Sequence, residues 1–274
     1  RLIMSEHIFY PALNFSPLRI PGLKFWFNAD SVVGASATTW NDETGTHKAT
    51  ALGTVPRDFD TTYSTKKGAV FQNDNGSLRV TKSNGDPVYE PLSAYPTTAW
   101  AAVLASVDGG SGNLLNRSIL TSLSTSAGFD RFLDIGVNGS NVSGWSRVVM
   151  NSAGGGSWLE QQANVISEGS LVTLNPNNQL TLIVFQSVVG AEAGYSRFNG
   201  TPHNYRYSVP GIRDYTVGGG TLYGYFGIGA VPALINTTIR GNIRQVLYGE
   251  GQLSPATLLK LEGYLAHDGD IESL

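Results

Sequence analysis

The sequence predicts an all-β protein: two antiparallel sheets packed as a sandwich, with one short helix at the C-terminal end. Three observations carry this expectation. Glycine stands at 33 of 274 residues and charged residues at only 14%, which suits many turns and a surface of Ser, Thr and Asn. Short apolar or alternating runs recur between Gly-, Asn- and Pro-rich punctuation, about twelve in all, at the spacing of a sandwich. The helix signal comes last, between Ser254 and Gly269.

Residues 1–22 are unlike the rest. Prolines 11, 17 and 21 and the absence of any period argue against a helix or a central strand. This segment is expected to be an extended arm, with a sandwich domain over 23–274. The arm carries Ile8, Phe9, Tyr10, Leu13 and Phe15, side chains seldom left in water, which pack on their own domain or dock on a partner. Docking would make the chain a homo-oligomer or part of a larger assembly.

From Leu23 the strands follow one another. "LKFWF" is the first. "AVFQNDNGSLRV" reads as two strand halves around Asn75-Gly76, a two-residue hairpin signal. "TTAWAAVLASV" is apolar on both faces and is expected at the centre of a sheet. "FDRFLDIGV" alternates, with Ile135 and Val137 on one face and Asp130 and Asp134 on the other. "QLTLIVFQSV" is another buried run, "YSRFNGTPHNYRYS" sets Asn199-Gly200 at a second tight turn, and "TLYGYFGIGA" and "TTIRGNIRQVLYG" complete the series. No linker divides them.

The helix has a start and a stop. Ser254 stands at the N-cap and Pro255 at the first helical position, where its missing N–H is not needed. Leu253 and Leu258 flank the cap as a hydrophobic staple. Leu258, Leu261 and Leu265 form an apolar stripe with Tyr264 beside it, and Gly269 ends the pattern.

Composition also narrows the partners. The formal net charge is −3 and the longest basic run is Lys66-Lys67, so nothing neutralises a row of phosphates, and nucleic acid is not expected. The apolar runs at 99–107 and 180–185 fall far short of the roughly 20 residues of a bilayer span. The chain has no cysteine, which rules out disulfides, zinc–thiolate sites and cysteine nucleophiles.

Catalysis is not expected either. Asp130 and Asp134 share a strand face but stand about 13 Å apart by strand rise, wider than glycosidase carboxylate pairs. His7, His47, His203 and His267 lie in an arm, two turns and a helix end, with no G-x-S-x-G context. A glycan site needs a flat aromatic beside hydrogen-bonding side chains. Trp145, Trp158, Tyr205, Tyr207 and Tyr215 lie near loops with such neighbours, whereas Trp26 and Trp100 sit in apolar runs and belong to the core.

The order of motifs resembles the laminin-G-like and concanavalin A-like jelly-roll family of bacterial surface proteins and bacteriophage virions. The resemblance rests on "LKFWFNADS", on Trp40, Asn41, Asp42, Gly45 and Ala49 in "WNDETGTHKAT", and on "KGAVFQNDNGSLRV", "YSRFNGT" and "GNIRQVLYGEGQLSPATLLKLEGYLAHDG". It implies a jelly roll whose terminal helix covers strand ends. It implies, first, a non-enzymatic structural or adhesive virion component, a head decoration or tail-fibre protein that docks other virion proteins through the arm. The alternative is a carbohydrate-binding module of a secreted or cell-surface bacterial protein. The resemblance also brings calcium into view, with Asp42 and Asp74 as candidate ligands.

Overall fold

The computed structural model describes residues 14–31, 38–53, 66–71, 76–89, 98–107, 114–123, 134–139, 145–150, 161–162, 180–188, 193–206, 224–229, 239 and 241–271. Its strands in chain order are β1 (Leu23–Asn28), β2 (Thr39–Asn41), β3 (His47–Gly53), β4 (Ala69–Phe71), β5 (Gly76–Lys82), β6 (Thr98–Val107), β7 (Leu114–Leu123) and β8 (Asp134–Gly139). They continue as β9 (Trp145–Met150), β10 (Gln161–Gln162), β11 (Thr181–Val188), β12 (Ala193–Phe198), β13 (Thr201–Arg206), β14 (Tyr225–Ile228) and β15 (Gly241–Glu250), and α1 (Pro255–Asp268) follows. The described residues form fifteen strands against the twelve or so expected, because several are only two or three residues long.

The strands form two sheets. One has the order β1-β15-β6-β11-β12-β13, with β4 pairing on the β1 side of β15; the other has the order β10-β9-β8-β7-β14-β5-β3-β2. Every named pairing is antiparallel. The predicted all-β sandwich with one C-terminal helix is what the chain forms.

Alternation builds the inner core. Phe25, Phe27, Ala101, Val103, Val246 and Tyr248 of the first sheet meet Trp40, Leu78, Val80, Leu120, Ile135 and Phe226 of the second, all fully buried. Aromatic rings dominate the contact: Phe226 and Tyr248 have centroids 4.6 Å apart, and Phe25 stacks on Tyr248 at 5.3 Å.

The first sheet is apolar on its outer face as well. In β6 the inward Ala99, Ala101, Val103 and Ala105 alternate with outward Trp100, Ala102 and Leu104. With β11 and β15 as its neighbours, β6 lies in the sheet interior, as its two-sided apolarity predicts. The outward set requires a cover, and α1 supplies it: Leu258, Leu261 and Leu265 pack with Trp26, Trp100, Leu104, Leu182, Val184 and Leu247. The helix therefore lies on a sheet face and not, as the resemblance implied, over strand ends. Ser254 caps it through a bond from Thr257 N of 3.1 Å, and Gly269 closes it by donating to the Leu265 carbonyl at 2.9 Å.

Two other expectations separate here. Asn199 (φ 45°) and Gly200 (φ 76°) form the left-handed pair of a tight β12–β13 turn, as Asn-Gly predicts. The halves around Asn75-Gly76 do not form a hairpin. β4 pairs with β15 in one sheet, whereas β5 lies between β14 and β3 in the other. Ala69 and Phe71 find their burial against the inner core, and that long-range contact overrides the local turn signal.

The segment before Leu23 joins the body from Phe15 onward. Ile20 is buried in the cluster under α1, Phe15 meets the Tyr264 ring edge-on at 6.1 Å, and the Gly22 carbonyl accepts from Glu250 N at 2.9 Å. Ile8, Phe9, Tyr10 and Leu13 lie outside the described residues.

Candidate functional site

The outer face of the second sheet carries a row of polar residues, with Leu52 and Leu123 beside them by register. On β5, Leu78 and Val80 point inward, which leaves Ser77, Arg79 and Thr81 on the outer face. On β14, Phe226 and Ile228 point inward, leaving Tyr225 and Gly227. Register aligns one row across the sheet: Asp134, Thr121, Gly227, Arg79, Thr50 and Thr39 on β8, β7, β14, β5, β3 and β2. Ser77, Thr81 and Thr121 are buried, Arg79, Tyr225 and Lys48 are half-buried, and Thr50, Thr39 and Asn41 are exposed.

At the middle of this face the Arg79 guanidinium lies over the Tyr225 ring, 5.1 Å from its centroid, within cation–π range. Tyr225 stands two residues from Gly227, the strand neighbour of Arg79, so the pair is a diagonal cross-strand contact. A flat ring and a cluster of donors are brought together on residues locked by two flanking strands. That combination suits a ligand rich in hydroxyl groups.

Of the five aromatic residues proposed from the sequence, Trp145 and Tyr205 lie among the described residues, on different sheets. Trp145 begins β9 and pairs with Asn138, a register position on the same side of the second sheet as Asp134 and Thr121, yet four strands from Arg79. Tyr205 lies on β13, the edge strand of the other sheet, opposite Gly194. Trp158, Tyr207 and Tyr215 lie outside the described residues. Trp26 and Trp100 are buried under α1, as expected.

Arg79 and Tyr225 were missed by a search for aromatics near loops. The period-2 patterns of "SLRVTK" and "YGYFGIG" held the signal, because both put apolar residues on one parity and polar or small residues on the other.

Asp42 is already engaged by its own turn. It is buried, its Oδ1 accepts from Thr44 N at 2.6 Å, and its Oδ2 accepts from His47 N and lies 3.7 Å from His47 Nδ1. Burial pushes the His47 pKa down, opposed by the Asp42 charge. The described residues contain no group of three or more His, Cys, Asp or Glu placed to hold a metal ion. Asp74 lies outside them.

Comparison with known proteins gives the fold independent support. No protein-family model matches the chain, and no curated protein matches its sequence. Among solved structures, domain 4 of a GH43 extracellular arabinanase from Geobacillus stearothermophilus, in complex with arabinotriose, superposes with a TM-score of 0.56 at 14% identity. That match covers 88% of this chain and 98% of the arabinanase domain. The Trypanosoma rangeli sialidase in complex with 2,3-difluoro-KDN gives 0.53 at 14% identity, over 91% of this chain and 33% of the sialidase. The chain thus spans about a third of the sialidase. At such identities the likeness establishes a shared β-sandwich, and the laminin-G-like resemblance stands at that level.

Proposed function

We propose that the chain is a carbohydrate-binding β-sandwich module that takes its glycan on the outer face of the second sheet. The observation that carries this reading is the Arg79–Tyr225 pair, held at 5.1 Å with the exposed Thr50 beside Arg79 on the next strand. Tyr225 offers a ring, Arg79 offers donors, and the exposed Thr50 hydroxyl accepts and donates. Support comes from the arabinanase domain, which matches this chain over nearly its whole length and was solved with a bound oligosaccharide.

Of the two expectations raised by the sequence, this is the carbohydrate-binding one. No comparable observation supports the virion reading. A module of this kind binds without transforming its ligand and works outside the cell or on its surface; no helix among the described residues is long and apolar enough to cross a membrane.

The test is glycan-array screening of the intact chain followed by titration calorimetry with the best oligosaccharide. Tyr225→Ala is expected to weaken binding roughly three- to tenfold, the order of one aromatic contact, at an unchanged melting temperature. A bound glycan indifferent to both Tyr225→Ala and Thr50→Ala would place the site elsewhere.

A further inference from the structure

Two ion pairs fasten α1 to the first sheet, and they are built differently. At the C-terminal end, Asp268 accepts two bonds from Arg244, at 2.8 and 2.9 Å, and a third from the Gln245 amide, so both of its oxygens are engaged. In mid-helix, Glu262 Oε1 accepts from Arg197 Nε of β12 at 2.5 Å, while Oε2 is buried with no hydrogen-bond partner. Glu262 is 2% exposed, and it is the one charged residue among the buried residues of α1.

Among the described residues Arg197 is the charged group that faces Glu262, and it divides its donors, giving Nη2 to the Gly200 carbonyl of the β12–β13 turn at 2.5 Å. Beneath the helix, β11 brings Leu182, Val184 and Gln186, β6 brings Trp100, Ala102 and Leu104, and β15 brings Leu247, none of them titratable. On α1 itself Asp268 is held by Arg244, with Asp30 on the same guanidinium, and Tyr264 meets Trp26 and Phe15 edge-on. Lys260, His267 and, in the segment before β1, Arg19 are exposed. Burial disfavours an ionised carboxylate far more than the neutral acid, and one shared guanidinium offsets that only in part. The Glu262 carboxyl is accordingly raised above its ordinary value of 4.5, burial outweighing the pull of Arg197.

We infer that α1 is a cover whose hold on the first sheet is set by the charge on Glu262, weaker while the carboxylate is ionised and tighter once it takes up a proton. Single elements open without global unfolding, and a helix lifted off the sheet returns Glu262 to water. There it recovers its ordinary affinity for protons, so the docked helix binds the proton more tightly than the lifted one, and falling pH favours docking. The effect is confined to the interval between 4.5 and the raised value, where the opening equilibrium moves by up to about tenfold per pH unit. At neutral pH the face that carries Trp26, Trp100 and Leu247 is therefore uncovered more often than in mild acid. This is opposite in sign to the usual acid loosening of a protein.

The experiment is amide hydrogen exchange of the intact chain from about pH 7.5 down to about pH 4.5, corrected for the intrinsic pH dependence of exchange, with β15 as the marker of global unfolding. The α1 amides are expected to open more readily than those of β15, and their opening constant to fall at least about threefold as the pH is lowered through this range. Glu262→Gln keeps an acceptor for Arg197 and loses the titration, so it should hold α1 at neutral pH as firmly as the parent does in acid, with a level profile. The parent's own profile needs no variant, so misfolding of the substitution does not affect it. An α1 opening constant that stays level or rises as the pH falls overturns the inference. So does α1 exchange that coincides with β15 at every pH, since the helix would then open only with the whole domain. A pH profile that survives Glu262→Gln also overturns it, by assigning the dependence to another group.

Discussion

Removing the Arg244 guanidinium should cost more stability than any other single polar change among the described residues, and its two carboxylate partners should rank unequally. Arg244 sits where the β15–β6 register shifts between Ile243 and Gln245, so that it and Gln245 both serve Asp268. Its side chain is 5% exposed, against 20% for Asp268 and 61% for Asp30. It binds both carboxylates bidentately at 2.6–2.9 Å and the Lys67 carbonyl at 2.9 Å. These bonds tie β15, the end of α1 and the turn after β1 together.

Burial opposes the charge on Arg244, but the bonds to Asp268 and Asp30 outweigh it and hold the guanidinium protonated far above neutral pH. Arg244→Met takes two bonds from Asp268, leaving it the Gln245 amide, and removes the bond to the Lys67 carbonyl. Loss of one partner of a buried pair costs about 3–5 kcal/mol, and the partial exposure of Asp268 puts this case near 3. Asp268→Asn should cost about 2 kcal/mol, since Arg244 keeps Asp30. Asp30→Asn should cost under about 1 kcal/mol, because water screens a carboxylate so exposed. Urea unfolding followed by tryptophan fluorescence, read as midpoint shifts at constant slope, gives all three. A cost for Asp30→Asn equal to that for Asp268→Asn, or a loss under about 1 kcal/mol for Arg244→Met, would refute the reasoning.

Leu261→Ala, at a fully buried position between α1 and the first sheet, should lower stability by about 3 kcal/mol through the cavity it leaves; a loss under about 1 kcal/mol would mean that α1 is not a cover for Trp100 and Leu104. The depressed pKa of His47 sets a sign for acid sensitivity. The unfolded chain binds the proton more tightly, so the contribution of His47 is complete above its ordinary value near 6.5 and is lost as pH falls through the lower folded value. The melting temperature of the parent should therefore fall faster below pH 6.5 than that of His47→Gln, and parallel curves would show that His47 carries no such linkage.

What the sequence made legible was whatever is decided within a few residues. The α1 cap needs only Ser254 and Pro255, and the Asn199-Gly200 turn needs only two left-handed residues. The position of β6 followed from its two apolar parities. What covers its outer parity did not, because a leucine stripe states that a partner exists and not which one. The same limit explains Asn75-Gly76. A turn signal reports local backbone preference, whereas Ala69–Phe71 chose its partner from a strand 170 residues on. Arg244 was hidden because "GNIRQVLYG" reads as an unbroken strand, and a bulge has no mark in the sequence when its extra residue is neither Gly nor Pro.

The two sheets differ in a way that decides where a ligand can go. The first is apolar on both faces, and its outer face is closed by α1 with Ile20 and Phe15 beside it. On that sheet Trp26 and Trp100 are recruited for packing. The second sheet carries hydroxyls, cations, Asp134 and Tyr225 on its outer face, with Leu52 and Leu123 beside them by register, and its polar groups have most to gain from a polar ligand. The pattern that makes Leu78 and Val80 core residues is what puts Arg79 on the opposite face, and strand order then brings Tyr225 to it across 146 positions of chain. Fold and candidate site thus share one cause, the alternation along β5 and β14.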